Sequence, residues 1–164
     1  MPKLVTYKDN FKDDIFRLIT TGEIVMKDES YDFLTESKIP FRVKKGDFAY
    51  IASNENKKQA DGVLVHDKDG KIVLLVAAKE NIEATIEFLI KNLEEKNLSK
   101  SLKSLEGLAN PNEILVLNKL GFQTVKYVLK PNNQNCVFLV RKELDCVKTK
   151  KNKEWKPCKT RFLF

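Results

Sequence analysis

The stretch Asn110-Pro111-Asn112-Glu113-Ile114-Leu115-Val116-Leu117-Asn118-Lys119-Leu120-Gly121-Phe122 carries a start signal, an apolar face and a stop signal for one short helix. Asn110 or Asn112 can cap the start, because a side-chain oxygen there accepts from a first-turn N–H. Pro111 suits a first-turn position, where its missing N–H costs nothing. Ile114, Leu117 and Leu120 recur at helical spacing and Leu115 adds to that face, so the helix has a side to bury. Gly121 can close the far end in a left-handed conformation. Phe122 then opens a strand-like run to Leu129.

The rest of the chain supplies the elements around this helix. Lys3 to Tyr7 reads as a first strand, and Phe11 to Ile19 as a helix with Phe11, Ile15, Leu18 and Ile19 at helical spacing, broken at Gly22. Ser30 to Ser37 reads as a second short helix, ended by Ile39-Pro40. Three strands follow: Asp47 to Ser53, Ala60 to His66 and Lys71 to Ala78, the last two joined by a hairpin turn at Asp67-Lys68-Asp69-Gly70. Lys71 to Ala78 is so continuously apolar that it reads as a central strand buried on both faces. Asn81 to Asn97 is an amphipathic helix, with Ile82, Ile86, Leu89, Ile90 and Leu93 in one stripe. Leu102 to Leu108 and Cys136 to Arg141 complete the strands.

A helix stopped by Leu120-Gly121-Phe122 before a strand closely resembles the last helix of the GNAT superfamily of N-acetyltransferases. The usual pattern there is Asn, two residues, Ala, then Tyr-Glu-Lys-Leu-Gly-Phe. Asn110, Lys119, Leu120, Gly121 and Phe122 match it; Glu113 stands in place of the Ala and Leu117 in place of the Tyr. The element order is also the GNAT order, over residues 3 to about 142. The resemblance implies an α/β domain over residues 1–142. Its sheet is expected to be mixed and mostly antiparallel, with about seven strands and about four flanking helices. Residues 143–164 are a C-terminal extension.

The resemblance also implies chemistry. In this family acetyl-CoA sits in a wedge between two central strands that splay apart, and a glycine-containing loop before the main helix holds the pyrophosphate. Backbone N–H groups and the positive end of a helix attract phosphate, and glycines let the backbone come close. The corresponding stretch here is Val76 to Ala84, so Val76, Ala78, Asn81, Ile82, Glu83 and Ala84 are the residues that would meet the cofactor, with Asn110 near its pantetheine arm. That stretch has no glycine, and Glu80 and Glu83 would repel a pyrophosphate that Lys79 only partly offsets. Leu117 cannot donate the proton that the family's tyrosine gives to the departing thiolate. Tyr127 is a candidate stand-in, against a plainer reading as a strand aromatic packed on a neighbour. Glu80 or His66 would be the base. Their plainer readings are a first-turn helix carboxylate and a surface residue beside a turn. Asn110 can be a helix cap as well.

Charge divides the chain. Residues 1–140 hold 21 Lys/Arg and 20 Asp/Glu, a net of +1, whereas residues 141–164 hold 9 and 3, a net of +6. Lys148 to Phe164 interleaves cations with Trp155, Phe162 and Phe164, a pattern that can bind nucleic acid or an acidic protein, or be a solvated tail packed on the body. Cys136, Cys146 and Cys158 are far apart and odd in number, and His66 is the only histidine, so reduced thiols and no metal site are expected. The longest apolar runs are too short to span a bilayer, and the N-terminus lacks a signal-peptide core, so a cytoplasmic location is expected. Two functions follow. One is a divergent GNAT N-acyltransferase moving an acetyl group from acetyl-CoA to a small-molecule or protein amine. The other is a catalytically inactive GNAT-like module that binds a protein or nucleic acid partner.

Overall fold

A computed structural model describes residues 2–6, 12–28, 43–54, 59–95, 102–129 and 136–144. The expected helix at Ser30–Ser37 and the extension from residue 145 onward lie outside the described residues. Eight strands form one sheet: β1 (Pro2–Thr6), β2 (Glu23–Lys27), β3 (Phe48–Asn54), β4 (Gln59–His66), β5 (Ile72–Ala77), β6 (Ser104–Ala109), β7 (Gln123–Leu129) and β8 (Cys136–Glu143). Their order across the sheet is β1-β3-β4-β5-β2-β6-β8-β7. The described α-helices are α1 (Lys12–Thr21), α2 (Ile82–Glu95) and α3 (Ile114–Lys119), with single 3-10 turns at Lys79–Asn81 and Pro111–Glu113 leading into α2 and α3.

The sheet is covered on both faces. Ile15, Leu18 and Ile19 of α1 pack on Val63, Val65, Val73 and Val76. On the other face Ile86, Leu89, Ile90 and Leu93 of α2, with Leu117 of α3, pack on Leu64, Ile72, Leu75, Leu105 and Val140. All six residues of β5 are buried, as its unbroken apolar run predicts.

The last helix forms as its end signals require. The Asn110 side chain accepts from Asn112 N at 3.0 Å. Gly121 takes φ 102°, which lets Phe122 N donate back to Leu117 O at 2.9 Å. Leu117 is fully buried, but Leu115, expected on the same face, is 79% exposed. The two lie about 200° apart around the helix, so burying one turns the other outward.

One strand is unexpected. The residues after Gly22, Glu-Ile-Val-Met-Lys, form β2, which raises the strand number from seven to eight. Gly22 makes the entry possible: a Cβ there would lie 2.6 Å from Ala77 O and 2.7 Å from Leu18 O, so only glycine lets the chain leave α1 and run beside the end of β5.

Candidate functional site

β5 and β6 run parallel and meet only at their starts. There Glu106 N donates to Gly70 O at 3.0 Å and Lys71 bridges to Glu106 in the parallel sense. Every other strand pairing is antiparallel among the described residues. Beyond this bridge the two strands part, and their finishing ends, at Ala77 and Ala109, form the two walls of a wedge. The turn into α2 rises from one wall and Asn110 from the other.

The gap between the walls is filled by β2. It pairs antiparallel with β5 through Glu23–Ala77, Ile24–Val76, Met26–Leu75 and Lys27–Leu74, with an irregularity between Ile24 and Met26. On the β6 side it has one register pair, Met26–Ala109. Asn110 N adds a bond to Val25 O at 2.9 Å. The Asn110 side chain, half-buried, donates from Nδ2 to Glu23 Oε2 at 3.1 Å. Val25 and Met26 are 0% and 1% exposed, each contributing about 1.5–3 kcal/mol of burial. The strand is thus zipped to one wall and tacked to the other.

The architecture is matched in solved structures. An N-acetyltransferase from Staphylococcus aureus Mu50 superposes with a TM-score of 0.63 at 13% identity, over 87% of this chain and 97% of that one. The ribosomal-protein-S18-alanine N-acetyltransferase from Escherichia coli gives 0.60 at 8% identity, over 92% and 98%. An aminoglycoside 6'-N-acetyltransferase complexed with coenzyme A gives 0.58 at 14%, over 86% and 96%. The chain has the GNAT fold. No family model matches the chain, and no curated protein matches it significantly. At these identities the likeness is one of fold.

Within the GNAT frame, the residues expected at the cofactor fall into three groups. Val76 and Ala78 are buried, and Val76 is paired by β2. Asn81, Glu83 and Ala84 are exposed and Ile82 half-buried at the start of α2. Glu83 is held by Lys119 of α3 at 3.2 Å. Asn110 caps the turn before α3 and grips β2. As folded, these residues do not fit a CoA thioester: the wall of β5 that an extended arm would pair with is taken by β2, and the loop before α2 offers carboxylates in place of glycines.

The three expected catalytic residues do not come together. Glu80 is exposed in the turn after β5, at the wedge. His66 is at the opposite end of the β4–β5 hairpin, paired with Ile72, so the length of β5, roughly 16 Å, lies between them. It is no surface residue: it is 0% exposed, beside the rings of Phe48 (5.3 Å) and Tyr50 (5.8 Å). Burial lowers its pKa, against the Asp67 carbonyl, 2.7 Å from Nδ1, and the charges of Asp67 and Asp47, which raise it. Tyr127 lies on the edge strand β7, in register through Phe138 with Ala109 at the β6 wall of the wedge, two strand spacings or roughly 10 Å away; it is 71% exposed, with its ring tilted against Phe138 at 5.1 Å. Leu117 is sealed in the core.

Two groups that sequence reasoning missed stand in the wedge. Glu23 is brought there by β2, and Glu113 sits in the turn that Asn110 caps. Burial raises the Glu113 carboxyl above its ordinary value, and the charge of Glu23 raises it further. The available signal was Glu113 occupying the alanine position of the family pattern. Nothing in the sequence marked Glu23. Among the described residues no three His, Cys, Asp or Glu side chains are grouped to hold a metal, and no helix is long and apolar enough to cross a membrane.

Proposed function

We propose that this chain is a divergent N-acyltransferase that takes an acyl group from a coenzyme A thioester and passes it to an amine. The observation that carries this reading is the wedge itself: two parallel strands joined at their starts and parted at their ends, with α2 rising from one and Asn110 from the other. The solved structures that share this frame are acetyltransferases, one of them in complex with coenzyme A. Glu113 is the best-placed candidate for taking the amine's proton, because it is part-buried, stands in the wedge and has a raised pKa. It is preferred to His66, which lies at the other end of β5, and to Tyr127, which is 71% exposed on the edge strand.

A second reading has its own observation in favour. Leu117 is buried where the family has its proton donor, and the loop before α2 carries Glu80 and Glu83 where the family has glycines. Both suit an inactive GNAT-fold module that binds a protein or nucleic acid partner, with the basic extension beyond residue 144 as its contact. Release of free coenzyme A thiol from acetyl-CoA separates the two. A panel of polyamine, aminoglycoside and peptide amines is offered at millimolar concentration. Amine-dependent thiol release supports acyl transfer. No release with any acceptor, and no calorimetric signal with coenzyme A, establishes the module.

A further inference from the structure

We propose that Glu23 is a positioning residue for the wedge: carried on β2 and gripped by Asn110, it sets a second carboxyl group beside Glu113 and so fits Glu113 to take a proton from an amine. The inference rests on the acyltransferase reading, in which Glu113 is the proton acceptor, and adds the residues that act through it. β2 is a fixed element, and that suits it to this role. Val25 and Met26 are sealed in the core, Asp28 N donates to Val73 O at 3.1 Å, and Glu23 is in register with Ala77 at the end of β5. The backbone of Glu23 is thereby set, and Asn110 Nδ2 orients its side chain by donating to Glu23 Oε2 at 3.1 Å.

Asn110 holds the other carboxyl as well. Its carbonyl accepts from Glu113 N at 3.0 Å, its N–H donates to Val25 O, and its side-chain oxygen accepts from Asn112 N at 3.0 Å. One residue thus ties the strand that bears Glu23 to the turn that bears Glu113. Two carboxyls held together resist carrying two charges, so one keeps its proton to higher pH. That is the direction in which burial, and then the charge of Glu23, move Glu113. A carboxyl raised in this way is better matched to proton transfer near neutral pH than an ordinary one. The other charges around it are differently placed. Lys79, Glu80, Glu83 and Lys119 are exposed to screening water, and Glu83 and Lys119 hold each other at 3.2 Å. Lys27, the other charge on β2, is paired with Leu74 toward the start of β5. Arg141, Lys142 and Glu143 of β8 pair with Glu106, Leu105 and Ser104 toward the start of β6. Glu23, Asn110 and Glu113 are each half-buried, so one carboxyl acts on the other with less water between them.

Carboxyl NMR titration of the full chain with isotope-labelled glutamate tests the pair with no ligand present. The Glu113 signal is the one that Glu113→Gln removes. Glu23→Gln keeps the shape of the side chain and removes its charge, and the Glu113 midpoint should move to lower pH. Asn110→Ser keeps a capping oxygen and gives up the amide that grips Glu23, so the midpoint should again move down, by less. Glu80→Gln removes a carboxylate from the same mouth and should leave the midpoint where it is. The proposal is overturned if Glu23→Gln leaves the midpoint unchanged or if Glu80→Gln moves it as far; no movement in Asn110→Ser overturns the grip. Thiol release from acetyl-CoA, followed against pH, tests the acyltransferase reading separately. The acid limb of amine-dependent release should shift to lower pH in Glu23→Gln together with the midpoint. If the midpoint moves and no form releases thiol, the carboxyl pair stands and the acyltransferase reading falls. If thiol is released and the midpoint stays, the reading survives and Glu23 has no part in it.

Discussion

The two ends of β5 are built to different ends. Its start is stitched directly to β6 and surrounded by groups with structural jobs. There Asp67 takes the amides of Asp69 and Lys71 into the turn at 2.9 Å each, Asp28 meets Lys71 at 3.4 Å, and His66 is buried against Phe48 and Tyr50. Its finish is parted from β6, spanned by β2, and edged by Glu23, Glu80, Glu83 and Glu113. The start resembles a tight turn over a core that buries His66 and Asp28; the finish resembles a site with a strand placed across it. The lesson is that a candidate catalytic side chain must be assigned to an end of a strand as well as to the strand. His66 has the right chemistry and stands at the wrong end.

The contrast can be broken or sharpened at three places. The largest effect is expected at Leu117, which a tyrosine would overfill. Leu117→Tyr should cost about 1–3 kcal/mol of unfolding free energy in chemical denaturation. A variant as stable as the wild type would mean that the position opens toward the wedge after all.

The next effect separates the two ends by pH. The folded pKa of His66 lies below its ordinary value of 6.5. Its contribution to stability is therefore full above that value and is lost as pH falls through the lower, folded value. The melting temperature should drop on acidification below about pH 6.5, and His66→Phe should flatten that part of the profile. An unchanged profile would remove His66 from the sealed end.

The smallest effect is at the wedge. The Glu113 pKa is raised above 4.5, so its charged form opposes folding once pH exceeds the folded value. Glu113→Gln should raise the melting temperature slightly at pH 7 and leave it unchanged at pH 4. A fall at pH 7 would mean that the carboxylate makes a favourable contact there.

The elements with strong local marks were legible before the structure was known. α2 announces itself by a 3.6-residue apolar period, the helix from Asn110 to Gly121 by its caps and apolar spacing, and β5 by its apolar run. The antiparallel hairpins follow from the turns that join them. The site was legible only in part. The loop without glycines leads into α2, Leu117 lies within α3 and Asn110 caps the turn before it, as their spacing in the sequence implies. The exposed edge at Tyr127, the burial of His66 and the presence of Glu23 were not foreseen.

By itself, then, the sequence determined the GNAT order of elements, the capped last helix, the central strand and the glycine-free turn before α2, because each is written in the propensities and spacing of neighbouring residues. The tertiary structure alone decided that Glu23–Lys27 is a strand and that it lies in the wedge. Five residues with so little apolar content are equally a loop or a strand until a partner is available, and the partner is 54 residues away: Glu23 pairs with Ala77. It likewise decided what Asn110 holds. A cap bond to Asn112 is local and could be read from spacing, whereas the bond to Glu23 spans 87 residues and exists only because β2 enters between β5 and β6.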